Sequence, residues 1–395
     1  MHPIFVSSMV RAAAVLSILG CVAAEPSREA SASDWANDPN FFPIGVWLQN
    51  PSNAERFKAA GINLYVGLWR GPTAEQLATL RKAGMRVICG QNQFALSQKE
   101  DPIIAAWMHG DEPDNAQSRG QGQGYGPPIT PEKIAEQYQK LRAADVSRPV
   151  LLNLGQGVAW DEYIGRGVRR NHPEDYPEYI KGCDIASFDI YPAVHDDPRV
   201  AGKLEYVGMG VERLARWAGT QKKVWNCLEC TRISNPLVKP TPQQVRSEAW
   251  LALVHGSRGL IYFVHQFKPT FREAALLDDP EMVTAVTALN RQIQDLAPVL
   301  NSPSIPSLVT VSTQPEEAPV AIMAKRAAGF IYLFTVGLRG RHTTASFRLS
   351  GLPAETSAEV LDESRRVEVR HGSFTDEFSA YGVHIYKMAT PQTKP

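Results

Sequence analysis

The stretch Ala105-Ala-Trp-Met-His-Gly-Asp-Glu-Pro113 begins as an apolar run and ends on two carboxylates, Asp111 and Glu112. A short apolar run that stops at turn residues reads as a buried strand. Seven further runs have the same form: Phe42–Trp47, Ile62–Leu68, Met85–Cys89, Val150–Leu154, Asp184–Tyr191, Lys223–Leu228 and Gly259–Val264. Helix-like stretches alternate with them at Asn53–Ala60, Thr73–Ala83, Pro131–Ala144, Leu204–Ala218, Pro242–His255 and Glu281–Leu296. A weaker one lies around Phe94–Ser97, and charge and proline obscure another between Trp160 and Ile180. Strand then helix, eight times in about 250 residues, predicts an α/β chain folded as a (β/α)8 barrel over residues 35–300. A doubly wound sheet is disfavoured, because no strand runs into a G-x-G-x-x-G turn and the glycine-rich Gly120–Gly126 opens no βα unit.

After Asn301-Ser-Pro-Ser-Ile-Pro306 the pattern changes to short alternating runs at Ser307–Ser312, Val320–Lys325, Phe330–Val336, Thr343–Leu349, Val367–Arg370 and Tyr381–Lys387. These predict a small antiparallel β-sandwich over residues 303–390.

The first 24 residues read as a secretory signal peptide. Arg11 precedes the apolar run Ala12–Gly20, and Val22-Ala-Ala24 offers small residues for cleavage. Cys21 also fits a lipid-attachment site, so secreted or periplasmic and lipid-anchored forms both remain open. No other stretch reaches the roughly 18 apolar residues of a membrane helix. Lys plus Arg and Asp plus Glu both number 41, so the net charge is zero and nothing invites a nucleic acid. Cys89, Cys183, Cys227 and Cys230 remain after processing and allow three pairings. Cys227-Leu-Glu-Cys230 has C-x-x-C spacing but no second pair or histidine partner, so neither a metal nor another cofactor is expected from it.

Functional groups of such a barrel gather at the C-terminal ends of its strands. Two carboxylate sites stand there, Asp111-Glu112 after strand four and Glu229 after strand seven. Cleavage of a glycosidic bond uses two carboxyl groups in different protonation states, and Glu112 and Glu229 are the expected pair. Tyr191 is placed to hydrogen-bond Glu229, and Arg70, Asp111, Asn153, Asp189 and His265 are candidate contacts to sugar hydroxyls. Trp47, Trp69, Trp160, Trp225 and Tyr191 offer flat rings for the apolar faces of sugars; the plain alternative is that Trp and Tyr fill the core.

Gly110-Asp-Glu-Pro113 resembles the Asn-Glu-Pro motif of the clan A glycoside hydrolases. The resemblance implies Glu112 as acid/base, Glu229 as nucleophile and a retaining double displacement on a carbohydrate substrate without a metal. Arg70 after strand two, Asp189-Ile-Tyr191 after strand six and the trailing β-module also fit. Asp111 departs from the pattern by replacing the Asn, and strand eight offers Tyr262, Phe263 and Phe267 where a Trp is common. Two rivals use the same residues differently: a noncatalytic carbohydrate-binding surface lipoprotein, and a transglycosylase.

Overall fold

All eight apolar runs form parallel strands. They are β1 (Ile44–Trp47), β2 (Leu64–Val66), β3 (Arg86–Cys89), β4 (Ile104–Asp111), β5 (Val150–Leu154), β6 (Ile185–Phe188), β7 (Lys223–Val224), β8 (Asn226–Glu229) and β9 (Leu260–Phe263). Their spatial order is β7-β6-β5-β4-β3-β2-β1-β9-β8. Only Trp225 separates β7 from β8, and its backbone N–H still bonds Ala186 O at 2.9 Å. These two segments are therefore halves of one seventh strand, and the chain itself closes the barrel between β6 and β9. The structure, a computed structural model, describes residues 34–390; the expected signal peptide and Cys21 lie outside them.

Side chains alternate across each strand. Leu151, Ile185, Cys227 and Ile261 fill the barrel, while Leu152, Ala186, Leu228 and Tyr262 face the helices. Trp35 plugs the N-terminal end, its indole N–H on Ala105 O at 2.9 Å and its ring edge-on to Trp225.

The helices are α1 (Ala54–Ala59), α2 (Ala74–Lys82), α3 (Gln93–Ser97), α4 (Pro131–Ala144), α5 (Tyr176–Tyr179), α6 (Glu205–Ala218), α7 (Pro242–Val254), α8 (Pro280–Asp295) and α9 (Ala297–Leu300). Sequence sets their starts: Thr130, Thr241 and Asp279 cap backbone N–H groups, each followed by a proline in the first turn. The fifth crossover holds mostly 3-10 turns, since Pro173 and Pro177 interrupt it. Gly210 on α6 lets the helix press on β6, for a Cβ there would lie 2.3 Å from the Phe188 ring.

The β-module has eight strands: β10 (Val309–Gln314), β11 (Val320–Ala327), β12 (Phe330–Gly337), β13 (Thr343–Leu349), β14 (Glu355–Val360), β15 (Arg365–Arg370), β16 (Ser373–Phe378) and β17 (Val383–Ala389). They form an antiparallel sheet in the order β10-β13-β16-β15-β14-β17-β12-β11 around Ile331, Leu333, Phe347, Phe374 and Tyr386. Its other face joins the barrel core, where Trp250 of α7 stacks on Phe334 with ring centres 5.5 Å apart. All four described cysteines are buried free thiols. No helix among the described residues is long and apolar enough to cross a membrane.

Candidate active site

A cleft of about 1020 Å³ opens over the C-terminal mouth of the barrel. Its chemistry begins with a break in β4. The register with β5 shifts between Met108 and Gly110, and Glu112 then takes a left-handed backbone with φ 44°. Such a conformation costs a non-glycine residue about 1 kcal/mol or more. In return, strict alternation is lost and the neighbours Asp111 and Glu112 both line the cleft. The turn is pinned by Glu112 N–H on Asn153 O at 2.9 Å and by Asn115 N–H on Glu112 O at 3.1 Å.

Three carboxyl groups converge there. Asp111 is open to solvent, Glu112 is half-buried and Asp189, from the end of β6, is buried. Asn153 on β5 gives Asp111 an Nδ2–H bond at 3.0 Å, and its own Oδ1 accepts the Ser187 hydroxyl at 2.8 Å. Burial, then the charges of Asp111 and Asp114, push Glu112 up to about 7. Burial and the neighbouring Glu112 hold Asp189 well above the usual carboxylate range. Although Asp111 reaches solvent, the protein packed around it strips away part of its water and raises it, while the Asn153 amide pulls it back down. Asp114 sits behind them, accepting Gly155 N–H and the Tyr176 hydroxyl, both at 2.9 Å.

The opposite side is aromatic. His265 stacks parallel to Phe267 with centres 6.0 Å apart and lies near Phe263 and Phe271. Gln49 orients it, placing Nε2 3.1 Å from His265 Nε2 and donating to Glu273 O at 2.8 Å. Trp47, Trp69 and Tyr191 complete the walls. Among the described residues no group of three or more His, Cys, Asp or Glu side chains is placed to hold a metal ion.

Asp111, Glu112, Asn153, Asp189, Tyr191, Trp47, Trp69 and His265 are thus gathered in one cleft. The pairing of Glu112 with Glu229 is corrected. Glu229 has no solvent exposure and does not line the cleft. Its carboxyl accepts the N–H groups of Ala193 at 2.6 Å and Val194 at 3.1 Å and lies against Glu248 of α7. Cys227, two residues earlier, is the side chain that β8 presents to the cleft. Tyr191 consequently packs on Phe263 and near Asp189, away from the expected partnership with Glu229. Arg70 leans over the Trp69 ring, 5.9 Å from its centre, and does not line the cleft. Trp160 packs edge-on against His195, and Trp225 is buried against Trp35, so both are packing residues. Glu273 and Phe271 escaped the sequence reading because they lie in an irregular loop after β9 with no periodic signal.

No protein-family model and no curated protein matches the chain. Its fold is similar to that of AmyP, solved in complex with maltose, at a TM-score of 0.54 and 9% identity, covering 94% of this chain and 100% of that one. It is also similar to AmyB from Thermotoga neapolitana, described as a noncanonic maltogenic alpha-amylase, at a TM-score of 0.54 and 8% identity, covering 90% and 100%. At such identities the likeness shows the fold, a barrel with a trailing β-module.

Proposed function

We propose that the chain is a glycoside hydrolase acting by a retaining double displacement, with Glu112 as the acid/base and Asp111 as the nucleophile. The observation that carries this is a carboxyl group raised to about 7, Glu112, held in an open cleft beside the more accessible Asp111. A pKa near the working pH suits a group that must give a proton and then take one back. In the first step Asp111 attacks the anomeric carbon while Glu112 protonates the leaving oxygen, giving a glycosyl ester and a free alcohol. In the second, Glu112 takes a proton from water as that water attacks the same carbon and releases Asp111. Asp189 touches neither bond; burial and the charges of Asp111 and Asp114 keep the acid protonated, while the hydrogen bond from Asp189 tempers that rise. Carbohydrate bound to a protein of the same fold, the maltose of the AmyP complex, supports the substrate class by analogy.

The experiment is turnover of a panel of 2-fluoro-2-deoxy aryl glycosides followed by mass spectrometry of the trapped peptide. A label on Asp111 supports the assignment. A label on Glu229 returns the nucleophile to the seventh strand, and a folded chain that turns over no glycoside removes the hydrolase reading.

A further inference from the structure

The same cleft carries charge of one sign. Five of its lining side chains are carboxylic acids, Glu75, Asp111, Glu112, Asp189 and Glu273; Glu112 and Asp189 are pushed toward their neutral forms, but none of the described residues lining the cleft is a lysine or arginine, so what charge these side chains carry is negative. Its imidazole, His265, is 7% exposed and is held neutral, since burial lowers its pKa. Two guanidinium groups stand near the cleft without lining it: Arg70 over the Trp69 ring at the rim, and Arg272, which pairs with Asp278 at 3.5 Å. The rim is built for apolar sugar faces. Trp69 is 67% exposed, Phe271 63% and Phe267 47%. They follow β2 and β9, the two strands that flank β1, so the aromatic groups stand on both sides of the β1 end.

Taking the glycosidase reading as its basis, we propose that this cleft selects an uncharged glycan and turns away chains carrying uronate or sulfate groups, with Glu75 and Glu273 as specificity-determining side chains. Walls of one sign around a low-dielectric cleft repel ions of that sign. A single exposed carboxylate such as Glu75, about 8 Å from an anionic group, weakens binding about twofold in a water-like medium, and several acting together multiply the effect. Glu75 and Glu273 take no part in the bond-breaking steps. Glu273 is fixed, its Oε1 accepting the Asn50 N–H at 2.6 Å.

The test is calorimetric titration of the full chain carrying Glu112→Gln, which slows turnover, with neutral gluco-, xylo-, manno- and galacto-oligosaccharides and with oligogalacturonate and a sulfated galactan oligosaccharide. At least one neutral chain should bind, the anionic ones should bind about tenfold or more weakly at low salt, and added salt should narrow the gap. Adding Glu75→Gln and Glu273→Gln should narrow it severalfold while neutral binding changes less than about twofold. Anionic binding as tight as the best neutral chain, a gap indifferent to salt and to the double variant, or no binding by a chain shown folded by circular dichroism overturns the proposal. Selective neutral binding together with no hydrolysis by the unsubstituted chain would keep this inference and sink the glycosidase reading alone.

Discussion

Asn153 donates its side-chain amide to Asp111 at 3.0 Å and cannot turn over, because its Oδ1 receives the hydroxyl of Ser187 at 2.8 Å. A carboxylate held by one oriented donor in a crowded site depends on it. Removing a hydrogen bond to a charged group costs about 1.5–3 kcal/mol. Asn153→Ala should therefore lower kcat about 10- to 100-fold. It should also move the acidic limb of the kcat profile to higher pH, since Asp111 would lose the bond that lowers its pKa. A purely structural role would lower the melting temperature and leave the limb in place.

Glu112 sets the other limb. As the proposed acid it must carry a proton when the leaving group departs, so activity should fall as pH rises through about 7. Glu112→Gln should cost about 10²–10⁴-fold on glycosides with poor leaving groups and much less on activated aryl ones. Initial rates of both substrate types across pH 5–9 check this. Equal and small losses on both would assign the proton to another group.

A second buried acid pair lies behind the barrel wall. Burial raises Glu229 to about 7, and burial and the charge of Glu229 hold Glu248 beside it well above the usual carboxylate range. The sign follows from proton binding: between pH 4.5 and about 7 the folded chain holds a proton on Glu229 that the unfolded chain has released. Stability therefore declines as pH rises through that window, by an amount of order 3 kcal/mol. Glu248→Gln should flatten the decline, because an amide can donate to an ionised Glu229. Denaturant midpoints from pH 5 to pH 8 measure it; a variant as steep as the parent would place the titration elsewhere.

The barrel was legible because its strands are buried on both faces and read as unbroken apolar runs, so each of the eight lies within two residues of its expected place or overlaps it along its length. β14 and β16 were missed in the module. Glu355-Thr-Ser-Ala-Glu-Val360 and Ser373-Phe-Thr-Asp-Glu-Phe378 carry little apolar signal, and their pairing comes from neighbouring strands. The site divides along the same line. Residues inside or just past a regular strand, such as Asn153 and Asp189, could be placed by counting. Glu229 could not, for its destination is fixed by the amides of Ala193 and Val194 and by Glu248, all remote in sequence. The joint inward placement of Asp111 and Glu112 depends on a register shift and a left-handed residue that a two-residue period does not reveal.

Two tryptophans separate packing from recognition. Trp250 is fully buried at the seam between α7 and the β-module, stacked on Phe334, whereas Trp69 is 67% exposed at the cleft rim. Trp250→Ala opens a cavity where two elements meet and should cost about 3–5 kcal/mol. Trp69→Ala removes little buried contact and should change stability by less than about 0.5 kcal/mol. Activity should divide the other way. Trp69→Ala should raise KM severalfold with kcat nearly unchanged, the mark of binding lost equally from ground and transition states. Trp250→Ala should retain the kinetic constants of whatever fraction remains folded. Urea midpoints and steady-state kinetics on both variants make the comparison. A large stability loss at Trp69, or a KM effect confined to Trp250, would mean that the exposed ring supports the fold and that the aromatic rim is not where the glycan rests.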